Sequence, residues 1–312
     1  MERISRREFL AQGGQAATAV AVGVAGGATA SAAQGPVPRQ VEAAQARAAS
    51  QFAVLFDSTK CVGCRSCELA CAAKNGLGRS PGEILEGGAC EDVRALGPNV
   101  LTYVTRHPIG DDPSRPVCGK VQCMHCIEPA CVASCPVAAL EKTPEGPVVW
   151  HADLCLGCRY CVLACPFSVP RFEWSSPNPR IRKCDMCYDR VLEGHAPACV
   201  TACPTGALAF GRRAELLEIA HRRIAGSPGD YWHHVYGEFE AGGTNVLHLA
   251  AYPFGALGYR QELPLHPYPD YTHPAMRTIP WVVSGLVVAL GAMSWMSNRR
   301  REVEEDEEGG RR

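Results

Sequence analysis

Sixteen of the 18 cysteines fall into four ordered runs of four: Cys61, Cys64, Cys67 and Cys71; Cys123, Cys126, Cys131 and Cys135; Cys155, Cys158, Cys161 and Cys165; and Cys184, Cys187, Cys199 and Cys203. Thiolates are soft ligands, suited to iron–sulfur clusters and to zinc. Three runs lead straight into proline, at Cys135-Pro136, Cys165-Pro166 and Cys203-Pro204. A C-x2-C-x2-C-x3-C run followed by proline is a spacing that holds a [4Fe–4S] cluster. Zinc sites with four sulfurs are built from two C-x-x-C pairs, and three cysteines within seven residues plus a fourth before proline do not fit that plan. A disulfide framework fits less well still, because three cysteines at two-residue gaps converge on one centre more naturally than they pair. Four runs of this kind predict a row of redox centres.

The runs are not yet ligand sets. In a two-cluster arrangement the fourth cysteine of a run binds the other cluster. The runs either pair in order (first with second, third with fourth) or nest (first with fourth, second with third), and spacing alone leaves both open. Cys90 and Cys118 fall outside the runs and read as structural or unpaired thiols, although Cys118 lies five residues before Cys123 and is a competing ligand candidate. His125 sits inside C-M-H-C, where the cysteine count is complete without it, so it reads as a packing or hydrogen-bonding group. Lys60, Arg65, Arg159, Arg182 and Lys183 flank expected ligands, and positive charge near a cluster raises its potential. His233, His234, His248, His266 and His273 have no spacing that defines a metal site. No Gly-rich phosphate loop and no Ser/His/Asp arrangement can be placed, so no catalytic residue is expected: the chain reads as an electron carrier without a substrate site of its own.

The elements around the runs are short. The formal net charge is −1, which gives no basic balance for nucleic acid. There are 31 Gly and 24 Pro in 312 residues, and aromatics make up 7%. A core so thin in large apolar residues relies on metal for cross-linking. Phe52–Phe56 reads as a strand before the first run, with further strand candidates at Val100–Val104, Val148–Trp150 and Ala207–Phe210. The second run ends CPVAAL and the fourth CPTGAL, an internal repeat. Arg212–Ala225 carries Leu216, Leu217, Ile219, Ala220 and Ile224 at helical spacing.

Both ends point to a membrane. Arg6-Arg7 stand within S-R-R-x-F-L ahead of an Ala/Gly/Val stretch and a small-residue run, which resembles a twin-arginine export signal over residues 1–33. Residues 34–50 read as a linker, 51–250 as the cluster domain with an insertion at about 72–122, and 251–278 as an extended Pro-rich segment. Residues 279–296 are uncharged and long enough for a transmembrane helix, with Trp281 and Trp295 near its ends. Arg299-Arg300-Arg301 follow, so the C-terminus is expected on the cytoplasmic side and the cluster domain on the periplasmic side of the inner membrane. Residues 297–312 read as a charged tail.

The strings CVGCRSCELAC, QCMHCIEPACVASCP, CLGCRYCVLACP and KCDMCYDRV with ACVTACPTGAL resemble the four-cluster ferredoxin subunit of membrane-bound formate dehydrogenase, DMSO reductase and [NiFe] hydrogenase complexes, over about residues 51–250. The resemblance implies an α+β fold of two bacterial-ferredoxin-like double-cluster modules, followed by the transmembrane helix. It implies nesting, with four [4Fe–4S] clusters held by Cys61, Cys64, Cys67 and Cys203; by Cys71, Cys184, Cys187 and Cys199; by Cys123, Cys126, Cys131 and Cys165; and by Cys135, Cys155, Cys158 and Cys161. The partners implied are a catalytic subunit of hydrogenase or molybdopterin type and an integral membrane, quinone-reactive subunit. An export signal together with a C-terminal anchor most resembles the uptake [NiFe] hydrogenase type; the formate dehydrogenase type is the alternative.

Overall fold

The structure, a computed structural model of the chain, describes residues 38–85, 95–109, 116–177 and 179–309, with side chains to residue 301. The expected signal at residues 1–33 lies outside them. The strands are β1 (Phe52–Asp57), β2 (Tyr103–His107), β3 (Val117–Val121), β4 (Leu140–Lys142), β5 (Val148–Trp150), β6 (Arg171–Phe172), β7 (Ile181–Arg182), β8 (Leu208–Arg212) and β9 (Val246–Leu249). β1 is the centre of a three-stranded sheet in the order β8-β1-β9, antiparallel to β8 and parallel to β9. Its sequence, FAVLFD, has no polar alternation because both faces are covered. Val54 and Phe56 pack on the side that also holds Cys67, Cys199, Met124 and Met186. Ala53 and Leu55 point the other way, against Leu216 and Ala220 of the helix Arg213–Gly226. The period of two in β1 thus separates a cysteine-lined side from an apolar side.

Three antiparallel pairs complete the described strands: β2–β3, β4–β5 and β6–β7. β2 and β3 lie in the stretch between the first two runs and bring the expected insertion into the interior, where Thr102, Lys120 and Gln122 are buried. Short helices carry cysteines: Ser66–Lys74, Ala130–Ala133, Tyr160–Ala164 and Ala198–Thr201. Pro129 and Pro197 precede two of them in extended conformation, as expected where a proline ends an extended segment at a helix start.

Three expected segments differ. Where a linker is expected, Arg39–Ala48 is a helix. Val41, Ala44 and Ala48 fall three and four apart and are fully buried, and Gln45 Nε2 donates to Glu238 O at 2.6 Å. Small side chains at helical spacing give a weak signal in sequence but a close fit in packing. The Pro-rich segment is extended only in part, since a helix begins at Pro269 and runs to Gly309. Pro269 occupies the first helical position, where its missing N–H has no partner to lose; Pro274 and Pro280 each remove one N–H and are accommodated within the helix. The charged tail is helical as far as Gly309, in keeping with its Glu and Arg content. Pro269–Arg301 is long and apolar enough to cross a membrane, with a mean hydropathy of 1.7 over an 18-residue stretch within it. Its apolar side chains are bare: Trp281 is 81% and Val288 71% exposed, a surface that water disfavours and lipid does not.

Asp57 fastens the end of β1. It is buried, and its carboxylate accepts from Thr59 N (3.1 Å), Arg223 (2.8 Å) and Tyr231 OH (3.0 Å). It thereby holds the helix Arg213–Gly226 to the strand that leads into the first cysteine run. Removing the carboxylate leaves several donors unpaired, a cost of about 2–4 kcal/mol. Asp57→Ala is expected to bleach the cluster absorbance at a clearly lower temperature than the unaltered protein, and Asp57→Asn at an intermediate one; equal melting temperatures would contradict this role.

Candidate iron–sulfur centres

Strand register decides which cysteines meet. β1 and β8 run antiparallel with Phe56 opposite Leu208, so the residues just after β1 lie beside those just before β8. Cys61, Cys64, Cys67 and Cys203 consequently line one cavity, together with Arg65 and Lys120. The helix Ser66–Lys74 packs on Ala198–Thr201, and Cys71 joins Cys184, Cys187 and Cys199 round a second cavity, with Thr102 and Gln122 in its wall.

The inner runs repeat the plan on a smaller scale. The β4–β5 hairpin sets Leu140 opposite Trp150, which brings the end of the second run to the start of the third. Cys135, Cys155, Cys158 and Cys161 line a third cavity. Cys126 lies within electrostatic reach of Cys165, Cys131 and Cys123. The four sets adjoin in a row: Cys67 and Cys199 share one packed cluster, Cys184 and Cys123 another, and Cys131 and Cys161 a third. Cys64 and Cys158, in the first and last sets, are exposed; the two middle sets contain no exposed cysteine.

The donor set fits iron–sulfur clusters. In every run the residue before the second cysteine has positive φ: Gly63 (67°), His125 (49°), Gly157 (72°) and Met186 (61°). So has the third residue after each Cys-Pro pair's cysteine: Ala138 (52°), Ser168 (52°) and Gly206 (63°). Left-handed residues wrap the chain and turn successive N–H groups inward. Ala139 N donates to Cys135 Sγ at 3.2 Å and Met186 N to Cys184 Sγ at 3.4 Å, an arrangement that favours a thiolate. Among the described residues no group of three or more His, Cys, Asp or Glu converges on a point for a single metal ion. The cysteines surround space instead, as a cluster requires and a zinc ion does not. In protein stripped of iron, burial pushes the thiols up, Cys67 and Cys187 to about 11 and Cys71 and Cys131 to about 12. Iron binding must therefore displace these protons.

The flanking basic residues separate into different roles. Lys60 and Arg159 are exposed, with the Arg159 guanidinium 4.8 Å from the Trp174 ring centroid. Arg65 is buried and forks onto Glu68 at 3.0 and 3.1 Å. Arg182 reaches Glu173 at 3.7 Å. Lys183 is buried, with Nζ donating to Val148 O and, at 3.0 Å, to Cys184 O. Two further lysines, Lys120 buried and Lys142 partly buried, are absent from the sequence reading. Lys142 Nζ donates to Gly146 O (2.6 Å) and His125 O (3.2 Å), and burial lowers it to about 7. Lys120 Nζ donates to Thr102 Oγ1; burial depresses it, but the thiolates of Cys67, Cys199, Cys184 and Cys71 outweigh that and leave it raised. The available signal was a lysine inside the apolar strand VCGKV, with no sequence-adjacent acid. His125 is fully buried and accepts from Val148 N through Nδ1 at 2.9 Å, which leaves its proton on Nε2. Cys118 is a buried thiol hydrogen-bonded to Cys61; Cys90 lies outside the described residues.

Comparison with known proteins agrees with this chemistry. Residues 118–213 match the 4Fe-4S dicluster domain family. A protein of Nitratidesulfovibrio vulgaris is 40% identical over 98% of this chain and 80% of its own length. The hydrogenase-2 operon protein HybA of Escherichia coli O157:H7 is 37% identical, over 64% of this chain and 70% of its own. The iron–sulfur subunit of the nitrate-inducible formate dehydrogenase of Escherichia coli K12 is 34% identical, over 64% of this chain and 68% of its own. With its cysteine-lined interior and these relatives, the chain belongs to the family of iron–sulfur electron-transfer subunits of membrane-bound oxidoreductases.

Proposed function

We propose that the chain relays electrons through four [4Fe–4S] clusters between a periplasmic catalytic subunit, of [NiFe] hydrogenase type, and an integral membrane, quinone-linked subunit. The carrying observation is the unbroken row of four cysteine sets with an exposed cysteine only at its two ends. Each cluster, when bound, supplies a one-electron couple whose potential its surroundings set. Cys61, Cys64, Cys67 and Cys203 hold the first. Cys71, Cys184, Cys187 and Cys199 hold the second. Cys123, Cys126, Cys131 and Cys165 hold the third. Cys135, Cys155, Cys158 and Cys161 hold the fourth. The outer runs then form one double-cluster module and the inner runs another. The buried middle sets keep water away, and the surface around Cys158, with Leu156, Tyr160, Leu163 and Trp174 exposed, is apolar enough to dock a partner subunit. The chain offers no substrate site of its own.

The helix Pro269–Arg301 serves as a single-pass anchor in the inner membrane. Arg299, Arg300 and Arg301 stay cytoplasmic and the cluster domain faces the periplasm, where the twin-arginine signal would deliver it already folded. A second reading, the equivalent subunit of a formate dehydrogenase or another molybdopterin enzyme, is favoured by the 34% identity to the formate dehydrogenase subunit.

The ligand sets are tested by single substitutions followed by electron paramagnetic resonance. Cys61→Ser and Cys203→Ser are expected to perturb one and the same signal, and Cys184→Ser and Cys71→Ser a different one; a shared signal for Cys203 and Cys184 would sink the nested assignment. Protein ending at residue 268 is expected in the soluble fraction, and full-length protein with membranes; membrane retention of the shortened form would remove the anchor. In a complex purified from native membranes by a tag on this chain, nickel supports the hydrogenase partner and molybdenum or tungsten the second reading. Iron as the only transition metal would overturn both.

A further inference from the structure

The stretch between the first two runs contributes none of the sixteen cysteines, yet its residues line the cavities of both of the first two sets. β2 and β3 pair with Val104 opposite Lys120. Lys120 lines the cavity of Cys61, Cys64, Cys67 and Cys203. Its Nζ donates to Thr102 Oγ1, and Thr102 lines the neighbouring cavity of Cys71, Cys184, Cys187 and Cys199. The lysine–threonine pair thus spans the partition. Lys120 is 1% exposed, and among the described residues no carboxylate pairs with it. Arg65 lines the same cavity but has Glu68 as its counter-charge. A buried charge without a partner is strongly disfavoured, so an ammonium retained here needs negative charge from another source. The negative groups that face it are thiolates of both sets: Cys67 from the first, Cys71, Cys184 and Cys199 from the second.

We propose that Lys120 is a potential-setting residue shared by the first two clusters, a fixed cation in the partition that holds both at higher reduction potentials than a neutral wall would. The proposal rests on the ligand sets given above. One electron arriving at either set adds one negative charge there, and the charge leaves when the electron is passed on. The ammonium keeps its protons throughout and favours the reduced state by Coulomb attraction in a poorly screened interior. Because one cation serves two sets, it raises both potentials together and alters the step between them less than either one. Exposed Lys60, although adjacent in sequence to Cys61, is screened by water and ions and contributes little.

The test is a potentiometric titration of the full-length protein, each cluster followed by electron paramagnetic resonance, with iron and acid-labile sulfide counted first. In Lys120→Gln two of the four midpoint potentials are expected to fall while the other two hold. Lys120→Arg and Lys60→Met are expected to keep all four near their original values. Unmoved potentials in Lys120→Gln at full iron content would overturn the proposal, as would an equal fall in Lys120→Arg. Should Lys120→Gln lose iron, Lys120→Arg decides: iron retained with arginine supports the cation, and iron lost from both overturns it. An iron count short of four clusters in the unaltered protein would instead fail the ligand sets themselves.

Discussion

The antiparallel pairing of β1 with β8 is the contact on which the rest of the interior depends. Cys61 and Cys203 are far apart in the chain, and only that register brings the residues after β1 to those before β8. The β4–β5 hairpin does the same for Cys135 and Cys155 over a much shorter loop. Closing the long loop costs little more than closing the short one, because loop entropy grows only with the logarithm of length. What the long closure does demand is a strand buried on both faces, which β1 is. The sheet and the cysteine sets stabilise each other: the apolar cluster on one side of β1 fixes the strand, and the strand fixes the thiols.

Most apolar cores are made of side chains that exclude water. Here cysteines belong to the packed clusters themselves, beside Met124, Met186, Val54 and Phe56. Folding and cofactor binding are then one process, as in other small metal-dependent domains. The charges follow the same logic. Arg65 is neutralised by Glu68, whereas Lys120, Lys142 and Lys183 donate to hydroxyl or carbonyl oxygens. The buried lysines Lys120 and Lys183 beside the cysteine sets suit an interior that accepts electrons.

The chemistry was plain in the sequence because cysteine spacing is a direct record of it, and β1, β5 and the helix Arg213–Gly226 were visible as apolar runs or periodic faces. Which fourth cysteine meets which run was not, since that depends on register across more than a hundred residues. The helix Arg39–Ala48 escaped notice because alanine carries little pattern. The stretch between the first two runs read as an insertion, because nothing local in Thr102, Lys120 and Gln122 marks them as the walls of cavities. Positive φ at His125 and Met186 was equally hidden; glycine announces such a turn at Gly63 and Gly157, whereas histidine and methionine do not.

Those turns and the short helices together set the spacing of the row. In each run the last two cysteines are four residues apart, Cys67/Cys71, Cys131/Cys135, Cys161/Cys165 and Cys199/Cys203, and each pair is divided between two sets. One helical turn, about 5.4 Å, spaces Cys67 from Cys71 within the helix Ser66–Lys74, and in the other three runs the last cysteine follows shortly after the short helix that carries the third; the helix Ser66–Lys74 packs on Ala198–Thr201 and Ala130–Ala133 packs on Tyr160–Ala164. Between the second and third sets no such helix exists. Cys184 and Cys123 meet there through loops, with Lys183 hydrogen-bonded beside them. On the ligand sets proposed above, the row comprises two doublets joined by helix packing and one junction built from loops. Spacing within a doublet follows the packing of short helices, and spacing at the junction follows side-chain packing between loops. Differences in electron flow between members of such a family would then arise at the junction and in the charged walls, not in the cysteine runs.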